Sequence, residues 1–251
     1  MADLERRKVQ AASFGAAADV YERARPSYPA AAIDWLLPPS ARRVLDLGAG
    51  TGKLTRGLAD RGLDVVAVEP SAGMRDELAQ VLPDITLLAG TAEEIPLPAR
   101  AVGAVLVAQA WHWVDPVRAV PEVARVLAPG GQLGLVWNMR DERVDWVSEL
   151  TRIIHTPDYT DNGSLAPQVG PPFGPVERFD VEWGRPMRPA EVLELVASRS
   201  YIITMPEQER SAVLARVQHL LGTHPALAGA GEITMPYVTR CSRARLSPPS
   251  S

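Results

Sequence analysis

The chain has 251 residues, 46% of them hydrophobic, with a net charge of −4 and an isoelectric point near 5.6. That length suits one large α/β domain with a substantial core, and with no long basic run bulk nucleic-acid binding is not suggested. The lone Cys241 excludes an intramolecular disulfide and a cysteine zinc cluster, and His112, His155, His219 and His224 lack metal-ligand spacing, so no metal site is expected.

No apolar run reaches the roughly 18–20 residues of a membrane span, and the charged start MADLERRKVQ lacks the apolar core of a signal peptide. A cytoplasmic protein without membrane contact is the expectation. Residues 13–29 are predicted to form a helix stopped by Pro26, with Phe14, Ala18, Tyr21 and Arg25 at helical spacing on one face. A PSYP turn precedes a second helix over about residues 30–37.

Val44 to Thr55, VLDLGAGTGKLT, reads as a buried strand, a glycine-rich turn and a helix start. Gly48, Gly50 and Gly52 stand at alternate positions, where the backbone can take positive φ and a ligand can lie against the main chain. A helix N-terminus at this turn offers free N–H groups and partial positive charge. The dinucleotide fingerprint fails because Lys53 stands at its third glycine, and the P-loop fails at Leu47 and Leu54. What remains is GxGxG preceded by Asp46, an acid that would repel pyrophosphate and suits a cationic amine.

The helix after this turn ends at Gly62, and Leu63 to Val68 form the second strand. Glu69 closes that strand, where a carboxylate can accept both hydroxyls of a ribose. Ser71 is the predicted N-cap of a helix to Leu82. Ile85 to Leu88 are the third strand and Val102 to Val107 the fourth. The fourth runs into AQAWHWVD. Ligands in open α/β sheets bind outside the carboxyl ends of strands, so Gln109 is read as contacting one bound ligand, and Trp111, His112 and Trp113 as facing a second. At least one of the two tryptophans is expected to pack against the following helix. His112 is the candidate general base, since histidine titrates at about pH 6.5, although a lone histidine also serves as a structural hydrogen-bonding residue.

Asp115 and Pro116 should cap and open a helix that ends at PGG, before a fifth strand over Gln132 to Trp137. Asn138 and Arg140 follow as pocket candidates, or as residues that fix a turn. Beyond them come helices over Val144 to Ile154, Pro189 to Ala197 and Glu207 to Leu221, the last with a Leu214, Val217, Leu221 stripe. A Pro/Gly-rich loop spans 156–175, and strands are expected over Phe179 to Trp183 and Glu232 to Cys241. Ile233, Met235, Tyr237 and Thr239 share one face of the last strand.

The DxGxGxG run resembles motif I of the class I S-adenosylmethionine-dependent methyltransferases. The FxxxAxxYxxxRPxYP string from Phe14 and the EVARVLAPGG segment resemble a small-molecule branch that includes trans-aconitate methyltransferase-like proteins. The resemblance implies a Rossmann-like α/β fold, with a seven-stranded, mostly parallel sheet, an antiparallel last strand and helices on both faces. It implies one methyltransferase domain over 1–251: cofactor-capping helices in 1–40, the cofactor core in 41–142, a substrate-side half in 143–241 and a tail in 242–251.

S-adenosylmethionine is the implied cofactor. The resemblance puts Tyr21 and Arg25 at its methionine carboxylate and Met74, Ala92 and Glu93 at its adenine. One option it implies is carboxyl methylation, with Arg140 or Arg199 as anion partner and Tyr201 beside them in the pocket. O- or N-methylation of another small molecule is equally open. No NPPY-type tetrapeptide follows the fourth strand, which lowers the odds of a nucleic-acid or protein substrate. An NAD-binding oxidoreductase and a non-catalytic binding protein of the same fold are the other classes weighed.

Overall fold

The computed structural model describes residues 25–154 and 167–248, apart from the side chains of Ser200 and Tyr201. Residues 13–24 of the predicted helix, with Phe14 and Tyr21, most of the 156–175 loop and the end of the tail lie outside the described residues; residues 25–29, the rest of that predicted helix, are not helical. The chain divides into two compact units. One comprises Met1–Pro26, Met139–Asp161 and Glu182–Val238; the other comprises Ser27–Asn138, Asn162–Val181 and Thr239–Ser251.

In the Ser27–Asn138 unit, helix α1 (Ala30–Leu36) leads to β1 (Arg43–Leu47), α2 (Lys53–Ala59), β2 (Asp64–Val68), α3 (Ala72–Val81), β3 (Thr86–Leu88) and β4 (Val102–Ala108). The first residues of β1 and β2 are exposed and the other four of each are buried. That is the pattern of parallel strands covered on both faces. β1 pairs in parallel with β2 and β4, and β2 with β3. Helix α1 buries Ala32, Ile33 and Leu36 in a cluster with Val44, Leu54, Leu58, Leu106 and Val136.

Helix α4 (Pro116–Val126) then enters β5 (Leu127–Arg140), which is parallel to β4. β5 starts five residues earlier than the sequence pattern suggests and takes in the PGG segment. Leu127 pairs with Val102, and a register irregularity between Val102 and Ala104 absorbs the glycines. The EVARVLAPGG segment is structural here. Glu122 accepts the Ile95 N–H at 3.0 Å, while Arg125 donates to the Ile95 and Leu97 carbonyls at 2.9 and 2.7 Å. The pair thereby holds the loop that leads to β4.

Three further helices, α5 (Asp145–Ile154), α6 (Pro189–Ala197) and α8 (Glu207–Thr223), pack Leu150, Ile154, Val192, Leu195, Val217 and Leu220 into the core of the Met139–Asp161 unit. The short α7 (Ser200–Ile203) lies between α6 and α8. The α8 stripe is Val213, Val217, Leu220 and Leu221; Leu214 is only partly buried.

The last strands are β6 (Glu177–Met187) and β7 (Ile233–Arg245), both longer than their apolar alternation indicates. Much of β6 is exposed, so ladder pairing rather than burial carries its length. The sheet has seven strands in the order β3-β2-β1-β4-β5-β7-β6. The Leu246 N–H donates to Gly131 O at 2.8 Å and the Asp141 N–H to Pro236 O at 3.0 Å. Residue numbers fall along β7 as they rise along β5, so β7 is antiparallel to it.

Asp115 caps α4, accepting the Val117 N–H at 2.9 Å, with Pro116 in the first turn. Asp115→Ala should lower stability by about 1 kcal/mol in urea denaturation. An unchanged midpoint would mean that this cap does not hold the helix start.

Candidate active site

The site grows from the turn between β1 and α2. The Gly48 and Ala49 N–H groups both donate to Val68 O, at 2.8 and 3.1 Å, drawing the turn across the end of β2. Gly48 has φ of +74°, and a Cβ there would stand 3.0 Å from the Ala110 Cβ. Its lack of a side chain lets the turn after β4 approach. Gly50 has φ of +57°, and a Cβ there would meet nothing within 4 Å. The main chain at Gly50 therefore faces open space, as a backbone that receives a ligand must. Gly52 stands at the N-cap of α2, against Leu78.

Glu69 is buried at the end of β2. Its Oε2 accepts the Gly50 N–H at 2.9 Å and its Oε1 accepts the Ser71 N–H at 2.8 Å. Each oxygen keeps a further acceptor position. Ser71 stands at the N-cap of α3 as expected, without a side-chain cap bond, and its own main-chain N–H is the one Glu69 holds. Burial pushes the Glu69 carboxyl above its ordinary range, against the pull of the two N–H groups and Arg75.

Asp46 is completely buried. Its Oδ2 accepts the Thr55 hydroxyl at 2.6 Å, and its Oδ1 has no partner among the described residues. Burial raises the Asp46 carboxyl to about 7, and repulsion from Glu69 adds to the effect. The spacing of the motif does not reveal Thr55 as this partner, nor Glu69 as the clamp on the glycine turn.

Gln109 follows β4 with φ of +58°, a left-handed conformation that costs a non-glycine residue about 1–3 kcal/mol and collects at functional sites. Its N–H donates to Val136 O at 2.9 Å and its Nε2 to Asn138 O at 3.4 Å. Trp111 is the buried one of the two tryptophans: it is 4% exposed, and its indole N–H donates to Gln168 O at 3.3 Å. His112 and Trp113 are half-buried, their rings 4.7 Å apart. Asn138 behaves as a fixing residue, donating to Ser27 O at 3.1 Å and accepting the Thr239 hydroxyl at 2.6 Å.

Met74 and Ala92 are buried. Glu93 spends one oxygen on the Asp115 N–H, at 2.8 Å. The structure thus gathers Asp46, Gly48, Gly50, Glu69 and Gln109 at the carboxyl ends of β1, β2 and β4. Arg25, Arg140 and Arg199 belong to the other unit, where Arg140 donates to the Thr151 hydroxyl at 3.2 Å. Tyr21 and the Tyr201 side chain lie outside the described residues. Among the described residues no cluster of three or more metal-binding side chains occurs, and no helix is long and apolar enough to cross a membrane.

Comparison with known proteins agrees with this arrangement. A family model described as a methyltransferase domain matches residues 45–135. An uncharacterized methyltransferase of Mycobacterium tuberculosis is 59% identical over 242 residues, covering 96% of this chain and 98% of that protein. A demethylmenaquinone methyltransferase of Beutenbergia cavernae is 39% identical over 104 residues, covering 41% of this chain and 43% of that one. A solved structure assigned as a type II methyltransferase from Anaeromyxobacter dehalogenans superposes with a TM-score of 0.67 at 26% identity, covering 89% of this chain and 99% of that one. With its glycine turn, acidic strand ends and sheet order, the chain belongs to the class I S-adenosylmethionine-dependent methyltransferases.

Proposed function

We propose that this enzyme methylates a small-molecule acceptor on oxygen or nitrogen, with the second half of the chain supplying the acceptor pocket. The observation that carries the cofactor end of this reading is the open space over Gly50, beside a Glu69 carboxylate with acceptor capacity to spare. When bound, S-adenosylmethionine supplies a methyl group on a sulfonium, so the protein contributes mainly position and orientation.

Glu69 accepts the ribose hydroxyls with the lone pairs that Gly50 and Ser71 leave. The Glu69 carboxylate, with Asp46 adding charge as it ionises around pH 7, sets a negative potential that favours a cationic ligand and opposes a dinucleotide pyrophosphate. Gln109 addresses the methionine end, Tyr21 and Arg25 the methionine carboxylate, and Met74, Ala92 and Glu93 the adenine. His112 and Trp113 face the acceptor, and Arg140, Arg199 and Tyr201 are the acceptor-side candidates of the other unit. His112 takes a proton from acceptors that must lose one. The small-molecule reading is supported by the net charge of −4 and by the partial likeness to a demethylmenaquinone methyltransferase. Labelled S-adenosylmethionine incubated with the enzyme and a metabolite extract should yield a labelled small product; label confined to protein or nucleic acid would refute it.

Glu69→Ala should weaken S-adenosylhomocysteine binding by about tenfold or more in calorimetry, because hydrogen bonds to a charged group contribute about 1.5–3 kcal/mol. Unchanged affinity would remove the ribose role.

Asp46 gives a pH dependence of stability. Its folded carboxyl titrates at about 7, against about 3.9 in an unfolded chain. Below pH ~4 both states are protonated; between ~4 and ~7 only the unfolded state has released its proton, so stability falls as pH rises. The Tm of Asp46→Asn relative to wild type should therefore climb from pH 5 to pH 8 in the ligand-free protein. A pH-independent difference would contradict the assignment.

His112→Gln should flatten the rate profile between about pH 6 and 8 once a proton-losing acceptor is in hand. A retained profile assigns His112 a structural role.

A further inference from the structure

Tyr237 is 4% exposed and its hydroxyl has no hydrogen-bond partner among the described residues. Buried hydroxyls are normally satisfied, so this one marks a place where a ligand acceptor belongs. The ring itself is firmly seated, stacked on Trp183 with centroids 5.0 Å apart and planes 20° from parallel.

The surroundings are basic. The β5–β7 register that pairs Asp141 with Pro236 puts Arg140 directly opposite Tyr237, in a cross-strand pair whose Cβ atoms stand about 4.5–5.5 Å apart. Arg185 is two residues along β6 from Trp183 and so projects from the same face. Four guanidinium groups bear on the Tyr237 phenol, those of Arg140, Arg199, Arg25 and Arg185. Burial pushes the phenol up, and these guanidinium groups pull it back. All of them, with Tyr237, belong to the Met139–Asp161 unit.

We propose that Arg140, Arg185, Arg199 and the Tyr237 hydroxyl form an anion site for a carboxylate or phosphate group carried by the methyl acceptor. Guanidinium groups present paired donors that match either oxyanion, and the phenol adds a neutral donor from a rigid, buried ring. The assignment rests on the small-molecule reading above, and it narrows the acceptor to an anionic class. Nothing in it calls for a general base if the anion is itself the nucleophile, since a carboxylate is already deprotonated at neutral pH.

The test uses the full-length protein and three probes at matched ionic strength: succinate, inorganic phosphate and neutral succinamide. Calorimetry with the wild type should show saturable binding of succinate or phosphate, the preferred one naming the headgroup, and none of succinamide. Tyr237→Phe, which keeps the ring and its stacking, should weaken that binding about fivefold, and Arg140→Gln about tenfold or more. Both variants should bind S-adenosylhomocysteine with wild-type affinity. The proposal is overturned if neither anion binds, if succinamide binds as well as succinate, or if both variants bind the anion as the wild type does. It is overturned too if the variants lose S-adenosylhomocysteine instead, because the cluster would then serve the cofactor carboxylate. Failure of the small-molecule reading looks different: anions bind as expected while labelled methyl groups appear only in macromolecules.

Discussion

Glu69 joins the ends of two strand-to-helix turns. One oxygen holds the Gly50 N–H and the other the Ser71 N–H, so a single side chain fixes the glycine turn relative to the start of α3. Burying a carboxylate is expensive unless donors repay the lost hydration. Here the two main-chain donors repay part of it, and the raised carboxyl records the remainder. A group held in that condition is ready to gain further donors, such as hydroxyls, with little rearrangement. Asp46 extends the logic one strand over, buried on a single hydroxyl with an oxygen left unmatched.

How much of this was legible beforehand follows from what the chemistry depends on. A glycine turn that admits a ligand is a main-chain device, and main-chain devices leave spacing in the sequence: Gly48, Gly50 and Gly52, with Asp46 before and Glu69 after. The cap at Asp115 and Pro116 is local in the same sense and appears as read. Ser71 stands at the N-cap as read, but no local pattern shows that its hydroxyl makes no cap bond or that a carboxylate two residues earlier accepts its main-chain N–H. The long reach of β6 and β7 was hidden for a related reason. In β6 the outer part is held by ladder bonds while most side chains stay exposed, and in β7 the extension buries Ser242 and Ala244, a polar and a small residue that apolar alternation does not register.

Side-chain constellations assembled from distant segments leave no spacing at all. Asn138 could be read as pocket or as turn, and the structure spends its amide on Ser27 and Thr239, which lie 111 and 101 residues away. Trp111 and Trp113 are near neighbours in sequence, yet one is sealed by Gln168, 57 residues on, and the other is half-buried. Arg140 and Arg199 could be named as anion partners only through resemblance. What joins them to Tyr237 and Arg185 is the antiparallel register of β7, which no short stretch of sequence encodes.

The same distinction bears on why cofactor and acceptor differ in how readily they are inferred. A ligand recognised by backbone N–H groups and two carboxylates at strand ends places strict demands on a dozen residues and few on the rest. A ligand recognised by guanidinium groups from β5, β6 and the segment after α6 demands only that arginines reach one buried ring. Arginine is long, and different starting points along a strand can deliver its charge to the same place. The Tyr237 hydroxyl is the more constrained partner, because a stacked ring cannot move its oxygen without giving up the stack with Trp183. Within that unit it is therefore the tyrosine, and not any single arginine, whose position defines where an oxyanion can be received.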